Sequence, residues 1–218
     1  MLYVWGSDIY DFPQKAFYIK HYLTTNRTNF FENHKNDYNV CYFGEHAVSN
    51  ALDNVLDIVK CFISDSCYKN IIFVLVGNGV EKERLINRVK NENITNVYFL
   101  SSVSKKAVPN LVKYFDCSYM TGISSPLYRF GLCLNKMYDS MMAGLPVICV
   151  FDAPDTLIRQ YHCGYQCCPE DKGKIVSAIN ELANMSAHDR KQMGMKGKIA
   201  VFDHFTYEKL AQTFAELF

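Results

Sequence analysis

The feature that most constrains the fold of this chain is an alternation of short apolar runs with longer amphipathic stretches. The clearest apolar run is residues 70–77 (NIIFVLVG), whose six central positions are all apolar. Such a run is typical of a parallel strand that is covered by helices on both faces. Further strands are predicted at 40–44, 96–100, 117–120, 145–150 and 164–168, and helices at 51–63, 81–91, 105–115 and 136–143. Strands that alternate with helices predict an α/β fold, a Rossmann-like parallel sheet with helices on both faces.

The two ends of the chain depart from this alternation. Residues 169–185, 186–202 and 206–218 have helical spacing, so the C-terminal segment is predicted to be all-helical. Residues 1–38 are rich in aromatic residues and asparagine and show no alternation of strands and helices. We therefore divide the chain into a leading segment, 1–38, as a remnant of or linker from another domain, and a Rossmann-like domain, 39–218.

Composition excludes several classes of protein. Hydrophobic residues make up 49% of the chain and charged residues 21%, which favours a sizeable core over disorder. Lys and Arg number 23 against 22 Asp and Glu, so the basic excess of a nucleic-acid-binding protein is missing. No apolar stretch approaches the ~20 residues of a membrane span, and no secretory signal opens the chain. We expect a cytoplasmic protein, at most peripheral to the inner face of the membrane, with no nucleic-acid partner.

The nine cysteines are scattered, several of them within apolar strand-like runs, which indicates a reducing compartment rather than a disulfide scaffold. Only Cys163, Cys167 and Cys168 lie close together, and His162 is the one histidine beside them. Zinc sites usually need two spaced pairs, or a pair with two histidines. We therefore favour buried or idle thiols and expect no metal.

Three loops are predicted at the carboxyl ends of the strands, where open parallel sheets bind ligands. In the first, Gly44 ends a strand, so the backbone could approach a ligand and the next helix could face a phosphate. An ordinary βα turn is the alternative. In the second, Gly77 and Gly79 form only part of the G-x-G-x-x-G pattern, because position 82 is Lys. From these residues alone, a turn without a ligand is the better interpretation of the second loop.

The third loop leads into a helix whose first turns carry Asn135, Lys136 and Asp139. Asn135 and Asp139 are four residues apart and share one helix face, with Lys136 beside Asp139. A lysine with exposed N-terminal amides suits a diphosphate, a carboxylate suits the ribose hydroxyls, and Arg129 could bind phosphate oxygens through two N–H groups. A solvated Lys–Asp pair on a surface helix explains these residues equally well.

A family resemblance favours the first of these two interpretations. Residues 127–148 (LYRFGLCLNKMYDSMMAGLPVI) resemble the donor-binding segment of retaining GT-B glycosyltransferases of family four, in the bacterial polysaccharide branch. Four further segments are similar in the same order: YFGEHAVSNALDNVL, FVLVGNGVEKERL, NVYFLSSVSKKAVPNLVKYFD and FDHFTYEKLAQTF. The likeness runs from about residue 39 to the end, and its most specific part is Asn-Lys-x-x-Asp followed by Ala-Gly-x-Pro.

The resemblance implies seven donor-binding residues: Gly44, Gly77, Gly79, Arg129, Asn135, Lys136 and Asp139. Asp139 matches the carboxylate that holds the ribose hydroxyls, and Asn135, Lys136 and Arg129 match residues near the diphosphate. Gly44 matches a turn that faces the phosphates, and Gly77 and Gly79 flank the nucleoside pocket.

This chain departs from the family pattern at two places. The family often has a glutamate shortly before the phosphate helix, in contact with the donor sugar, but residues 126–134 contain no carboxylate. The family's Arg and Lys after the first strand are also missing, since residues 44–52 contain neither. The positive charge at the diphosphate is then expected from three other side chains: Arg129, Lys136 and Lys105.

The resemblance implies a transferase that moves a hexosyl or N-acetylhexosaminyl group from a nucleotide sugar, with UDP as the first choice of nucleotide. The acceptor would be a saccharide or a lipid-linked saccharide, and transfer would proceed with retention and without a cofactor or metal. GT-B enzymes have two Rossmann-like halves, and residues 1–38 are too few for the acceptor half. We expect that half in the same gene or in a partner chain, and no activity from this fragment alone. A non-catalytic nucleotide-sugar-binding subunit and a GT-B-type sugar-nucleotide epimerase remain alternatives.

Overall fold

The computed structural model describes residues 25–64 and 70–217. Six strands form one sheet: β1 Tyr38–Phe43, β2 Ile71–Val76, β3 Val97–Leu100, β4 Cys117–Thr121, β5 Val147–Val150 and β6 Gly164–Cys167. The order is β3-β2-β1-β4-β5-β6, and every neighbouring pair is parallel. The predicted Rossmann-like parallel sheet is therefore confirmed.

Helices lie on both faces of this sheet. Within the described ranges they are α1 Thr25–Asn33, α2 Leu52–Ser64, α3 Lys82–Asn91, α4 Val108–Leu111, α5 Asn135–Met142, α6 Leu157–Gln160, α7 Lys172–Asn184, α8 Ala187–His204 and α9 Tyr207–Ala215. The last three confirm the predicted helical C-terminal segment, up to residue 217. None of the helices described is long and apolar enough to cross a bilayer.

The core explains why the strands could be recognised from apolar runs. All six residues of β1 and all six of β2 are buried, with alternate side chains on opposite faces of the sheet. On one face, Val40 and Phe73 pack with side chains of α2, α3 and α7. On the other face, Cys41 and Val74 pack with Phe31 and with the segment that contains α4. A strand that is buried on both faces has no solvent side to interrupt its apolar sequence.

The helix predicted at 105–115 is divided into a 3-10 turn, the short helix α4 and a second 3-10 turn. Pro109 occupies one of the first positions of α4. In one continuous helix its ring would clash with the carbonyl group four residues earlier, at Lys105. The proline therefore sets the start of α4.

Helix α1 lies within the leading segment, residues 1–38, that shows no strand–helix alternation in the sequence. Phe31 is buried in the domain core, with its ring stacked 4.5 Å from the ring of Tyr114 and edge-on to that of Phe115 at 5.3 Å. The end of this segment is therefore packed against the sheet. The rest of the leading segment, residues 1–24, lies outside the described residues.

The cysteines of the described residues are all free thiols, of which Cys163 and Cys167 are buried and Cys168 is exposed. Across those residues, no group of three or more His, Cys, Asp or Glu side chains is arranged to hold a metal ion.

Helix α8 is held against the turn after α5 by a close backbone approach. Ser186 caps α8, since its Oγ accepts a hydrogen bond from the amide of Asp189 at 3.1 Å. Further along, a Cβ atom placed on Gly194 would lie 1.9 Å from the carbonyl oxygen of Gly144. Only glycine at position 194 allows α8 to lie this close.

We expect Gly194→Ala to lower the free energy of unfolding by about 1–3 kcal/mol, because backbone would have to move to admit the methyl group. Gly173→Ala is the matched control in α7, where the nearest atom to the added Cβ is a side-chain oxygen at 3.6 Å. This control should not be destabilised, since alanine is the better helix former. Urea unfolding of both variants measures the difference, and equal stabilities would contradict the packing described here.

Candidate functional site

A cleft of about 590 Å³ opens at the carboxyl ends of β1 and β2, facing the start of α5. β1 is one of the two central strands, and the order of the sheet reverses at it, with β2 on one side and β4 on the other. This switch point is where open α/β sheets bind ligands. Five of the seven predicted donor-binding residues line the cleft: Gly44, Gly77, Asn135, Lys136 and Asp139.

The predicted glycines bring the first two loops together. A Cβ atom on Gly77 would lie 1.8 Å from the carbonyl oxygen of Gly44, and Gly44 itself has a φ angle of +147°. Gly79 does not line the cleft, and a Cβ atom there would lie 2.4 Å from the carbonyl oxygen of His46. The glycines therefore let backbone pack on backbone where the first two loops meet.

Lys136 brings a partly buried ammonium group into the cleft. Its Nζ donates a hydrogen bond of 2.9 Å to Oδ1 of Asn50 and a longer one of 3.4 Å to the hydroxyl of Tyr42, and it lies 4.7 Å from the centre of the Tyr42 ring. No ion pair joins it to a carboxylate within the described residues. Burial lowers the pKa of Lys136 to about 8. A partly buried cation with only neutral partners favours the binding of an anion.

The N-terminus of α5 adds to this positive potential. Asn135 is the first residue of the helix, and no side chain caps the N-terminus at Leu134. The first amide groups of a helix have no partners within the helix and carry the positive end of its dipole. Uncapped amides beside an ammonium group form an arrangement suited to phosphate.

Asp139 lies one turn further along α5 and also lines the cleft. Burial raises its pKa to about 7, an effect that Lys105, which also lines the cleft, partly opposes. Within the described residues its carboxylate accepts no hydrogen bond and forms no ion pair. Lys136 and Asp139 are thus not a solvated pair on a surface helix, because both are partly buried and they do not pair with each other.

Arg129 is placed differently from the other predicted residues. It lies in the 3-10 turn Pro126–Phe130, is exposed, and does not line the cleft. Its guanidinium group lies 4.6 Å from the centre of the Phe130 ring. A contact between Arg129 and a diphosphate stays a prediction. Arg129 does not line the cleft that Lys136 lines.

His46 has no role predicted from the sequence, although it lies in the first loop. It is fully buried, and neither ring nitrogen has a hydrogen-bond partner within the described residues. Burial lowers its pKa to about 4, and the charges of Lys82 and Lys136 contribute to this shift. The imidazole is therefore neutral at physiological pH, and it does not add to the charge of the cleft.

Comparison with known proteins gives a family and a fold. The profile of the family described as glycosyl transferases group 1 matches residues 26–199. No curated protein sequence matches the chain. Among solved structures, the chain is similar to a mutant of S. aureus TarM in complex with Fondaparinux, alpha-GlcNAc-glycerol and UDP, with a TM-score of 0.67 and 14% identity over 83% of this chain and 35% of that one.

Two other solved structures are similar to the same degree. Anabaena Alr3699/HepE in complex with UDP-glucose has a TM-score of 0.68 and 15% identity over 91% of this chain and 54% of its own. The E. coli structure described as trehalose-6-phosphate bound with UDP-2-fluoro glucose has a TM-score of 0.70 and 12% identity over 89% of this chain and 47% of its own.

At these identities the structural likeness shows the fold alone, and the chain spans about a third to a half of the length of the three proteins. The family profile, in contrast, covers most of the sequence, including the whole cleft. The chain therefore belongs to the glycosyl transferases group 1 family.

Proposed function

We propose that this chain is the donor-binding half of a GT-B glycosyltransferase and that its cleft binds a nucleoside diphosphate-sugar. The observation that carries the proposal is the ammonium group of Lys136, which is partly buried among neutral partners beside the uncapped N-terminus of α5. A diphosphate supplies the negative charge that this arrangement lacks.

The same groups would act in the transfer step. When the bond between the sugar and the diphosphate breaks, negative charge grows on the leaving diphosphate. An ammonium group and helix amides that are already in place stabilise this charge without rearranging. In this proposal, the positive charge at the leaving group comes from Lys136 and the start of α5.

We place the nucleoside on the other side of the cleft. The carboxylate of Asp139 is free to accept hydrogen bonds from the ribose hydroxyls. Val103 and Val108 add apolar surface beside Ser102, which suits a planar base. UDP is our first choice of nucleotide, because the TarM and HepE structures contain UDP or UDP-glucose and the E. coli structure contains UDP-2-fluoro glucose.

The acceptor half would face the open side of the cleft. Four apolar side chains stand exposed at the carboxyl end of the sheet, between 65% and 83% accessible: Val48, Val80, Leu127 and Phe130. Exposed apolar residues grouped at one end of a domain are typical of contact with another domain. We further propose a saccharide or lipid-linked saccharide as the acceptor and retention as the stereochemical course, as in the polysaccharide branch that residues 127–148 resemble.

A second candidate is a nucleotide-sugar-binding subunit that needs a separate acceptor chain. It is favoured by the lining of the cleft, in which Asp139 is the only carboxylate within the described residues. If Asp139 binds ribose, no acidic side chain of this cleft is left to contact the sugar. An assay of transfer by the chain alone and with an acceptor domain separates the two candidates.

Lys136→Ala should weaken UDP binding by about 1.5–3 kcal/mol, the range for a charge-assisted hydrogen bond. Isothermal titration calorimetry with UDP measures the change. Lys174→Ala, at an exposed lysine that pairs with Asp171 on α7, is the control and should bind UDP normally. Because Arg129 lies outside the cleft, Arg129→Ala should cost less than Lys136→Ala. Unchanged UDP affinity in the Lys136 variant would exclude the proposed diphosphate site.

Asp139→Asn should weaken UDP binding without weakening the binding of inorganic pyrophosphate, because pyrophosphate has no ribose. The substitution keeps the shape of the side chain and removes its charge. Calorimetry with both ligands on the same variant provides the comparison. Equal losses for UDP and pyrophosphate would mean that Asp139 affects the phosphate site instead.

The chain alone should bind UDP but transfer no sugar. The acceptor must be held against the donor sugar, and positioning of two reactants contributes several kcal/mol to catalysis, on the order of 7–11 kcal/mol at best. The test is incubation of the chain with labelled UDP-sugars and a membrane lipid extract, with and without an acceptor domain. Efficient transfer by residues 1–218 alone would overturn this prediction.

A further inference from the structure

The end of β1 and the loop after it contain no Arg or Lys, yet their polar groups surround a lysine that comes from α5. The carbonyl oxygen of Glu45 accepts hydrogen bonds from the hydroxyl of Tyr42 at 2.7 Å and from Nδ2 of Asn50 at 2.9 Å. Nζ of Lys136 donates to Oδ1 of Asn50 at 2.9 Å and to the hydroxyl of Tyr42 at 3.4 Å. These four groups form a closed ring, which we call the Lys136 ring.

The hydrogen bonds of the Lys136 ring fix which group donates and which accepts at each contact. The Tyr42 hydroxyl has a single proton, which the Glu45 carbonyl takes, so only a lone pair is left for Lys136. The Asn50 amide directs its N–H to the same carbonyl, so its oxygen faces the ammonium group. An ammonium group has three N–H donors, and two of them are used within the ring. The third points to no acceptor within the described residues and remains for a ligand.

The groups around the Lys136 ring do not neutralise the charge of Lys136 through an ion pair. Burial, followed by the charge of Glu45, raises the pKa of the Tyr42 hydroxyl, which therefore stays neutral. His46 is neutral because its pKa is lowered to about 4, chiefly by burial. Asp139 on the same helix forms no ion pair with Lys136, and Lys105 acts on Asp139 from across the cleft. Within the described residues, the ammonium group thus forms no ion pair with a ring member or a close neighbour.

We propose that Tyr42 and Asn50 are positioning residues that hold Lys136 at the diphosphate site without cancelling its charge. This inference rests on the proposed function, since it assumes that Lys136 binds the diphosphate. A lysine side chain has many rotamers, and fixing one of them before the ligand arrives removes that entropic cost from binding. A carboxylate could also fix the lysine, but it would compete with the phosphate for the same cation.

The decisive variant is Asn50→Asp, which keeps an oxygen for Lys136 and adds a negative charge. At pH 7.5 the affinity for inorganic pyrophosphate should fall about tenfold or more, because the cation already has a partner. Asn50→Ala and Tyr42→Phe should weaken binding less, since they loosen Lys136 without neutralising it. Ser49→Asp is the matched control: it adds the same charge to the same loop outside the ring and should change the affinity by less than about threefold.

The pH dependence separates positioning from a general structural effect. In the unsubstituted protein, Lys136 loses its proton as the pH rises past about 8, so the affinity for pyrophosphate should begin to fall there. A carboxylate at position 50 raises the pKa of Lys136, so in Asn50→Asp the fall should begin at a higher pH. Circular dichroism and thermal unfolding would confirm that each variant is folded.

The outcomes of the two proposals differ. Unchanged affinity of Lys136→Ala for UDP and pyrophosphate would overturn the proposed function. If Lys136→Ala weakens binding but Asn50→Asp and Tyr42→Phe bind like the unsubstituted chain, the proposed function stands and the positioning role is wrong. Asn50→Ala added to Lys136→Ala should cause no further loss, and an additional loss would show that Asn50 acts independently of Lys136.

Discussion

The pairing of β1 with its two neighbours is the constraint on which the rest of this domain depends. β1 pairs with β2 along all six residues, but with β4 only at Val40 and Cys41. The carboxyl end of β1 is therefore attached to the sheet on one side only. Because the chain leaves β1 towards β2 and returns to the other side only at β4, no crossover connection fills the space beyond these two strands. The loop after β1 and the start of α5 face each other across that space.

The groups that line this crevice determine which charges it can hold. The end of β1 and the loop after it present a phenol, an amide and a backbone carbonyl, all of which are neutral, and α5 presents Lys136 to them. An ammonium group that loses water without gaining a carboxylate is destabilised, which its lowered pKa reflects. Proteins retain such unfavourable arrangements mainly where a ligand or a reaction uses them. The destabilised ammonium group of Lys136 thus lies in the segment that most resembles a donor-binding site.

Features that depend on residues close together in the sequence could be predicted, and features that depend on residues far apart could not. The strand predicted at 70–77 is found as Ile71–Val76, because burial on both faces leaves an apolar run that no other structure explains as well. Helix α1 has two adjacent phenylalanines and no apolar period, so its packing through Phe31 had no clear sequence signal. In the site, helical spacing alone predicted that Lys136 and Asp139 lie beside each other on one helix. Asn50 lies 86 residues from Lys136, and only the completed sheet shows that they touch.

The spacing of Lys136 and Asp139 also shows why local rules alone are insufficient. Three residues apart on one helix, these side chains would ordinarily form an ion pair and satisfy each other. Asn50 and Tyr42 hold the lysine instead, so both charges remain unpaired, with the pKa of Asp139 raised to about 7 and that of Lys136 lowered to about 8. In the proposed site, a diphosphate would relieve the cost at the lysine, and hydroxyl donors would relieve it at the aspartate. A nucleoside diphosphate carries both kinds of group in one molecule, which is why we propose the whole nucleotide as the ligand in preference to either of its parts.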